Sequence, residues 1–209
     1  MAEELGKIEK PPVEQFSKGR RLFFVPLTYS VKDSPADYLE KFDRYWKQVE
    51  DQISDLQSKL GKIAVIYHEL VEIGGEEGLD ELKSLNDKSY HIVKKLVEAG
   101  AKLEQTEDAD LLTEYIDWGR CLSIGLQNQK VAAKIYESYE QTSKSRNDFI
   151  GKQIDKTLGP DNIGVFFCRE KHYVHFPADV EVFYIAPPVL DEINRWFRDR
   201  ETAGSQNVP

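Results

Sequence analysis

Ile163-Gly164-Val165-Phe166-Phe167-Cys168-Arg169-Glu170-Lys171-His172 is an apolar run of strand length that gives way abruptly to a cation and an imidazole. A continuous short apolar run of this kind is the signature of a strand buried on both faces, as in a parallel sheet. Open α/β sheets keep their ligands at the carboxyl ends of such strands. The run is entered through Gly159-Pro160, a helix breaker, and a second apolar strand follows at Val180–Ile185.

Working outward, Arg20 to Tyr29 centres on Leu22-Phe23-Phe24-Val25-Pro26-Leu27 and reads as a strand, with Pro26 at an edge or at its end. Ser34-Pro35-Ala36-Asp37 reads as a helix start with a capping hydroxyl. Tyr38, Phe42, Tyr45, Trp46, Val49, Ile53, Leu56 and Leu60 form one apolar stripe that Gly61 stops. Lys62–Tyr67 is a buried strand ending in His68-Glu69. One helix is predicted from about 79 to 99, a shorter one within 107–125, and a long one from Asn128 to Leu158. Val131, Ile135 and Tyr139 are among the inward positions of that long helix. Pro187-Pro188 opens a last helix through Phe197. The order is β-α-β, a helical middle over 76–158, then β-β-α. This predicts an α/β fold: a partly parallel sheet with covering helices. The expected layout is a loose arm over 1–19, a single α/β domain over 20–201 and a frayed tail over 202–209.

Bulk composition bounds the function. The 209 residues carry a net charge of −9 with a pI near 5.1, which argues against a nucleic-acid surface. A local basic patch remains around Lys144, Arg146 and Lys152. Two cysteines, Cys121 and Cys168, fit a reducing compartment. The N-terminus has no apolar signal core and no run reaches membrane-span length, so the expectation is a cytoplasmic protein that does not engage a membrane.

Phosphate-loop, dinucleotide, nucleophile-elbow and zinc-helix motifs are absent. His68-Glu69-Leu70-Val71-Glu72 lies at a strand end, where neighbouring side chains alternate faces, so it is no helical zinc site. Glu69 closes a buried strand and is a candidate metal ligand or general base; the plainer reading is a cap or ion-pair carboxylate. His172 and His175 offer imidazoles for metal or protons, or are plain loop residues. Cys168 reads as a small buried apolar residue. Arg146 and Asp148 share a helix; alone they read as a solvated face.

Together these pieces resemble the TraB-type family, related to the Tiki metalloproteases and more distantly to erythromycin-esterase and ChaN-like proteins. The resemblance spans about residues 20–186. Ile66-Tyr67-His68-Glu69-Leu70 resembles the strand that ends in a glutamate. Ser145-Arg146-Asn147-Asp148-Phe149-Ile150 resembles the charged helix motif, and Gly164 to His172 resembles the strand leading to a Gly-x-x-His. The first strand has no Gly-x-x-His, Cys168 stands where glycine is expected, and His172 is displaced by one position. The resemblance implies a metal-assisted or acid/base hydrolase of a peptide or ester. Its crevice would hold Thr28, Tyr29, Glu69, Arg146, Asp148 and His172. Glu69 and His172 would hold a divalent metal or handle protons, Arg146 would stabilise an oxyanion, and Asp148 would orient a partner. The alternative is a non-catalytic ligand-sensing or interaction module, taking a small molecule or peptide. A further alternative is a homo-oligomer assembled through the 38–60 helix.

Overall fold

The computed structural model describes residues 18–205, with side chains through Arg200. The parts of the expected arm and tail at 1–17 and 206–209 lie outside the described residues. In chain order the elements are β1 (Arg20–Pro26), α1 (Ala36–Leu60), β2 (Ile63–His68), α2 (Gly75–Leu85), α3 (Asp87–Glu98), β3 (Lys102–Leu103), α4 (Ala109–Ser123), α5 (Gln129–Thr157), β4 (Ile163–Cys168), β5 (Val180–Tyr184) and α6 (Pro188–Ser205).

The fold is α/β. The sheet has five strands in the order β3-β2-β4-β1-β5, and every pairing is parallel. β4 lies at its centre, which is why all six of its residues are buried and apolar or glycine. β1 runs beside it from Arg21 opposite Ile163 to Pro26 opposite Cys168. Pro26 is the last residue of an inner strand, so its missing donor ends the strand without breaking the ladder. Gly164 lets the layers close: a β-carbon there would stand 3.0 Å from Leu22 Cδ1 and 3.2 Å from Leu158 Cδ1.

The helices divide between the two faces. α1, α2, α3 and α6 bury Tyr45, Val49, Leu82, Val93 and Ile193 against Phe23, Ile66 and Phe167. The C-terminal half of α5 buries Ile150, Ile154 and Leu158 against Phe24, Tyr67 and Phe166 on the other face. Parallel crossovers keep one hand. The connections out of β1 and β2 step toward the β3 edge, and those out of β3 and β4 step toward the β5 edge, so their coverings fall on opposite faces. The reversal makes the β2/β4 boundary a topological switch point, where such sheets open a crevice beyond the strand ends.

Several boundaries differ from the sequence expectation, each for a local reason. The helical middle contains the short strand β3, paired to Val65 and Ile66 of β2. The helix expected over 79–99 is broken at Asn86. That side chain accepts from the Ser89 amide at 3.2 Å, capping α3, and donates to the Thr28 carbonyl at 2.9 Å. Pro35, which has no capping side chain, occupies the N-cap position of α1, while the Ser34 hydroxyl accepts from the Val31 amide of the preceding turn. Val131 is exposed because the N-terminal half of α5 packs on α4 rather than on the sheet. α6 runs past Phe197 to Ser205. Along the apolar stripe of α1, Tyr38, Phe42, Tyr45, Trp46, Val49 and Ile53 are all buried in the core. Among the described residues no helix is long and apolar enough to cross a membrane.

Candidate ligand cleft at the switch point

Glu69 follows β2 directly. Its amide donates to the Phe167 carbonyl at 2.8 Å, so the β2/β4 ladder continues one residue beyond β2 and aims the carboxylate at the end of β4. Leu70 then adopts φ +73°, a left-handed conformation that costs a non-glycine residue about 1–2 kcal/mol. That turn points the Leu70 amide at Glu107 Oε1, 3.1 Å away. Glu107 sits between β3 and α4, held because the Thr106 and Glu107 amides both donate to the Val71 carbonyl at 3.0 Å.

Arg146, from the middle of α5, inserts between the two acids. Its Nη2 donates to Glu69 Oε1 at 3.0 Å and to Glu107 Oε1, and its Nε donates to Glu107 Oε2 at 2.8 Å. Arg169, the first residue after β4, closes the cluster. Its amide donates to Glu69 Oε2 at 2.9 Å, its Nε to Glu69 Oε1 at 2.6 Å, and its Nη1 to the Tyr115 hydroxyl at 3.1 Å. Tyr115 of α4 lies under both guanidiniums, 4.9 Å from Arg146 and 5.7 Å from Arg169, and stacks on Tyr139 of α5.

Burial sets the chemistry of these groups. Side-chain exposure is 1% for Glu69 and 4% for Arg146 but 43% for Arg169. Burial opposes ionisation of Glu69, but Arg169 and Arg146 outweigh it and hold the carboxyl below its ordinary range. Burial pushes the Glu107 carboxyl up, with Arg146 working against it. Burial likewise raises the Cys168 thiol, which is packed beside Phe24 and Phe166 and is no nucleophile. Burial lowers His172. Its Nδ1 accepts from the Val174 amide at 3.2 Å, so the neutral ring carries its hydrogen on Nε2.

A cleft of about 630 Å³ opens above the cluster, between α5 and the loop that joins β4 to β5. Of the expected site residues, Glu69, Arg146, Asp148 and His172 all border it, as does His175. Glu69 and Arg146 touch; Asp148 is exposed and orients neither. Thr28 and Tyr29 do not border this cleft. Tyr29 borders a separate depression of about 260 Å³ beside Asn86. Arg146 is no free cation on a helix face, because two of its nitrogens are committed to buried acids.

A divalent metal does not fit here. Both oxygens of Glu69 already accept from arginine, and like charge from two guanidiniums opposes a cation. His172 has its Nδ1 lone pair occupied and a hydrogen on Nε2. Among the described residues no group of three or more His, Cys, Asp or Glu side chains is placed to hold a metal.

Sequence reasoning missed Glu107, Tyr115 and Tyr139. The signal available for Glu107 was Glu107-Asp108 at a helix start, where Asp108 accepts from the Leu111 amide at 3.0 Å. Compared with protein-family models, with curated proteins and with solved structures, the chain matches none.

Proposed function

We propose that this chain is a binding module for a small anionic ligand, held in the switch-point cleft. One observation carries the reading. Two anchored guanidiniums border the cleft, and each keeps one terminal nitrogen, Nη1 of Arg146 and Nη2 of Arg169, without a partner among the described residues. Donors fixed in advance by buried acids lose little freedom when an anion arrives. Lys144, Lys171 and the Nε2–H of His172 add donors or positive charge around the same space.

Hydrolysis is the weaker reading, because Glu69 and His172, the two residues that the resemblance makes proton handlers, are already engaged. Glu69 is saturated with donors and held ionised, a poor proton acceptor, and Nδ1 of His172 is occupied. The TraB-type likeness belongs to the same proposal: the matched residues Glu69 and Arg146 meet at 3.0 Å, and His172 borders the same cleft.

The test is a thermal-shift screen of small phosphate esters and carboxylates beside neutral isosteres, on wild type and on Arg169→Met. Arg169 is the right target because it is half exposed and Glu69 retains Arg146. Anions should stabilise the wild type, and the response should collapse in the variant. Equal responses to neutral isosteres, or in both proteins, would remove the reading.

A further inference from the structure

Resting on the anion-site reading, we infer that the ligand carries a flat aromatic ring joined to its anionic group, clamped between Tyr136 and Tyr173. Four tyrosines border the cleft, and they fall into two pairs with different surroundings. Tyr115 and Tyr139 form the floor. Their rings stack at 4.9 Å with an interplanar angle of 27°, their hydroxyls lie 2.7 Å apart, and Tyr115 also receives both guanidiniums. The faces that Tyr115 and Tyr139 turn to each other are taken, and Tyr115 carries the guanidiniums as well.

Tyr136 and Tyr173 form the rim, on opposite walls. Tyr136 stands on α5 and Tyr173 on the loop between β4 and β5. They are 53% and 77% exposed, and neither ring has an aromatic or cationic partner among the described residues. Large aromatic faces left in water beside a cleft are suited to a flat ring, whose stacking needs no sequence of hydrogen bonds. The size of the space agrees. About 630 Å³ lies within the range of roughly 300–1,000 Å³ typical of small-molecule sites. An inorganic anion seated on Arg169 would leave most of it to water. The order from floor to rim therefore reads cation, then aromatic wall, and the ligand would reverse it: anion inward, ring outward.

Isothermal titration calorimetry with four probes tests this. Adenosine monophosphate and ribose 5-phosphate differ by a ring, as do indole-3-acetate and acetate. In the wild type, the ring-bearing member of at least one pair should bind roughly tenfold or more tightly than its ring-free counterpart. The pair that responds tells whether the inner anion is a phosphate or a carboxylate. Tyr173→Leu and Tyr136→Leu should abolish the preference and leave the ring-free affinity unchanged, whereas Arg169→Met should weaken both members. If ring-free and ring-bearing probes bind the wild type equally, the aromatic clamp is wrong and the anion site stands. A preference that survives both leucine variants also overturns the clamp. Failure of all four probes to bind overturns the clamp and the anion site together.

Discussion

Gly151 of α5 and His175 of the loop between β4 and β5 meet backbone to backbone: a β-carbon at position 151 would lie 2.7 Å from the His175 carbonyl oxygen. This contact limits how close the wall carrying His172 and Tyr173 can stand to the wall carrying Arg146, while Val174 and Phe176 pack the same loop onto the core.

Gly151→Ala therefore sets two effects against each other. Alanine favours the helix by about 1 kcal/mol. The carbonyl cannot swing away like the end of a side chain, so the loop must shift, and overpacking of this kind costs about 1–3 kcal/mol. The expected outcome in urea titration is a net loss of stability, accompanied by weaker binding of whichever anion the screen yields. A variant more stable than wild type with unchanged binding would show that the loop yields freely.

Arg146→Met should be destabilising rather than merely silent toward ligand. It leaves Glu69 with Arg169 alone and strands Glu107 beneath the surface without its cation. Breaking a buried pair in this way costs about 3–5 kcal/mol. Adding Glu107→Gln to Arg146→Met should recover part of the loss, since a neutral amide tolerates burial better. Additive losses in that double-mutant cycle would mean that the two side chains are not energetically linked.

Stability should fall on mild acidification because of His68. A carbonyl only accepts, so Nδ1, 2.6 Å from the Glu69 carbonyl, carries the hydrogen, and Nε2 accepts from the Ser89 hydroxyl at 3.0 Å. Burial holds this neutral ring at a pKa of about 4, below its usual 6.5. The unfolded chain binds the extra proton first, so stability present above pH 6.5 is lost as pH falls toward 4. The shift corresponds to about 3 kcal/mol. The depressed Glu69 acts in the same sense at lower pH, as its carboxylate protonates, whereas the raised Glu107 acts oppositely, favouring the fold as pH falls. His68→Gln keeps a donor and an acceptor without the titration, and should flatten the slope of unfolding free energy between pH 6.5 and 4. An unchanged slope would assign the acid response to other groups.

Asn86→Ala should cost about 1–2 kcal/mol in the same denaturation assay, since it removes the cap of α3 and the tie to Thr28 together. Asn86→Asp keeps the cap but loses the donor to Thr28, and should fall between the two. If alanine and aspartate behave alike, the Thr28 tie is the dominant contribution.

The legible and illegible parts of this chain divide by range of interaction. β4 was readable because six apolar or glycine residues in a row admit few other fates. Glu69 and Arg169 were readable as strand ends, and α5 from the cap at Asn128 to the Gly-Pro break. The junction at Asn86 was hidden because apolar spacing runs on across it, from Leu82 to Tyr90 and Val93, and only the distant Thr28 carbonyl reveals the turn. β3 has two residues, too few for any period. Glu107 was invisible as a partner of Arg146 because the pair is 39 positions apart, and the Tyr115 contact to Arg169 spans 54. Arg146 consequently read as a surface cation, whereas its neighbours in space make it a buried tie.

The position of β1 inside the sheet governs how this protein emerges from the ribosome. Both neighbours of β1, β4 and β5, lie about 140 residues or more downstream, so Leu22, Phe23, Phe24 and Val25 have no strand beside them until Ile163 and the residues after it are made. At roughly 5–20 residues per second that interval lasts roughly 7–28 s. Throughout it, the apolar β1 segment waits for β4 and β5 to flank it. Truncation anywhere before Ile163 therefore removes both strands that flank β1.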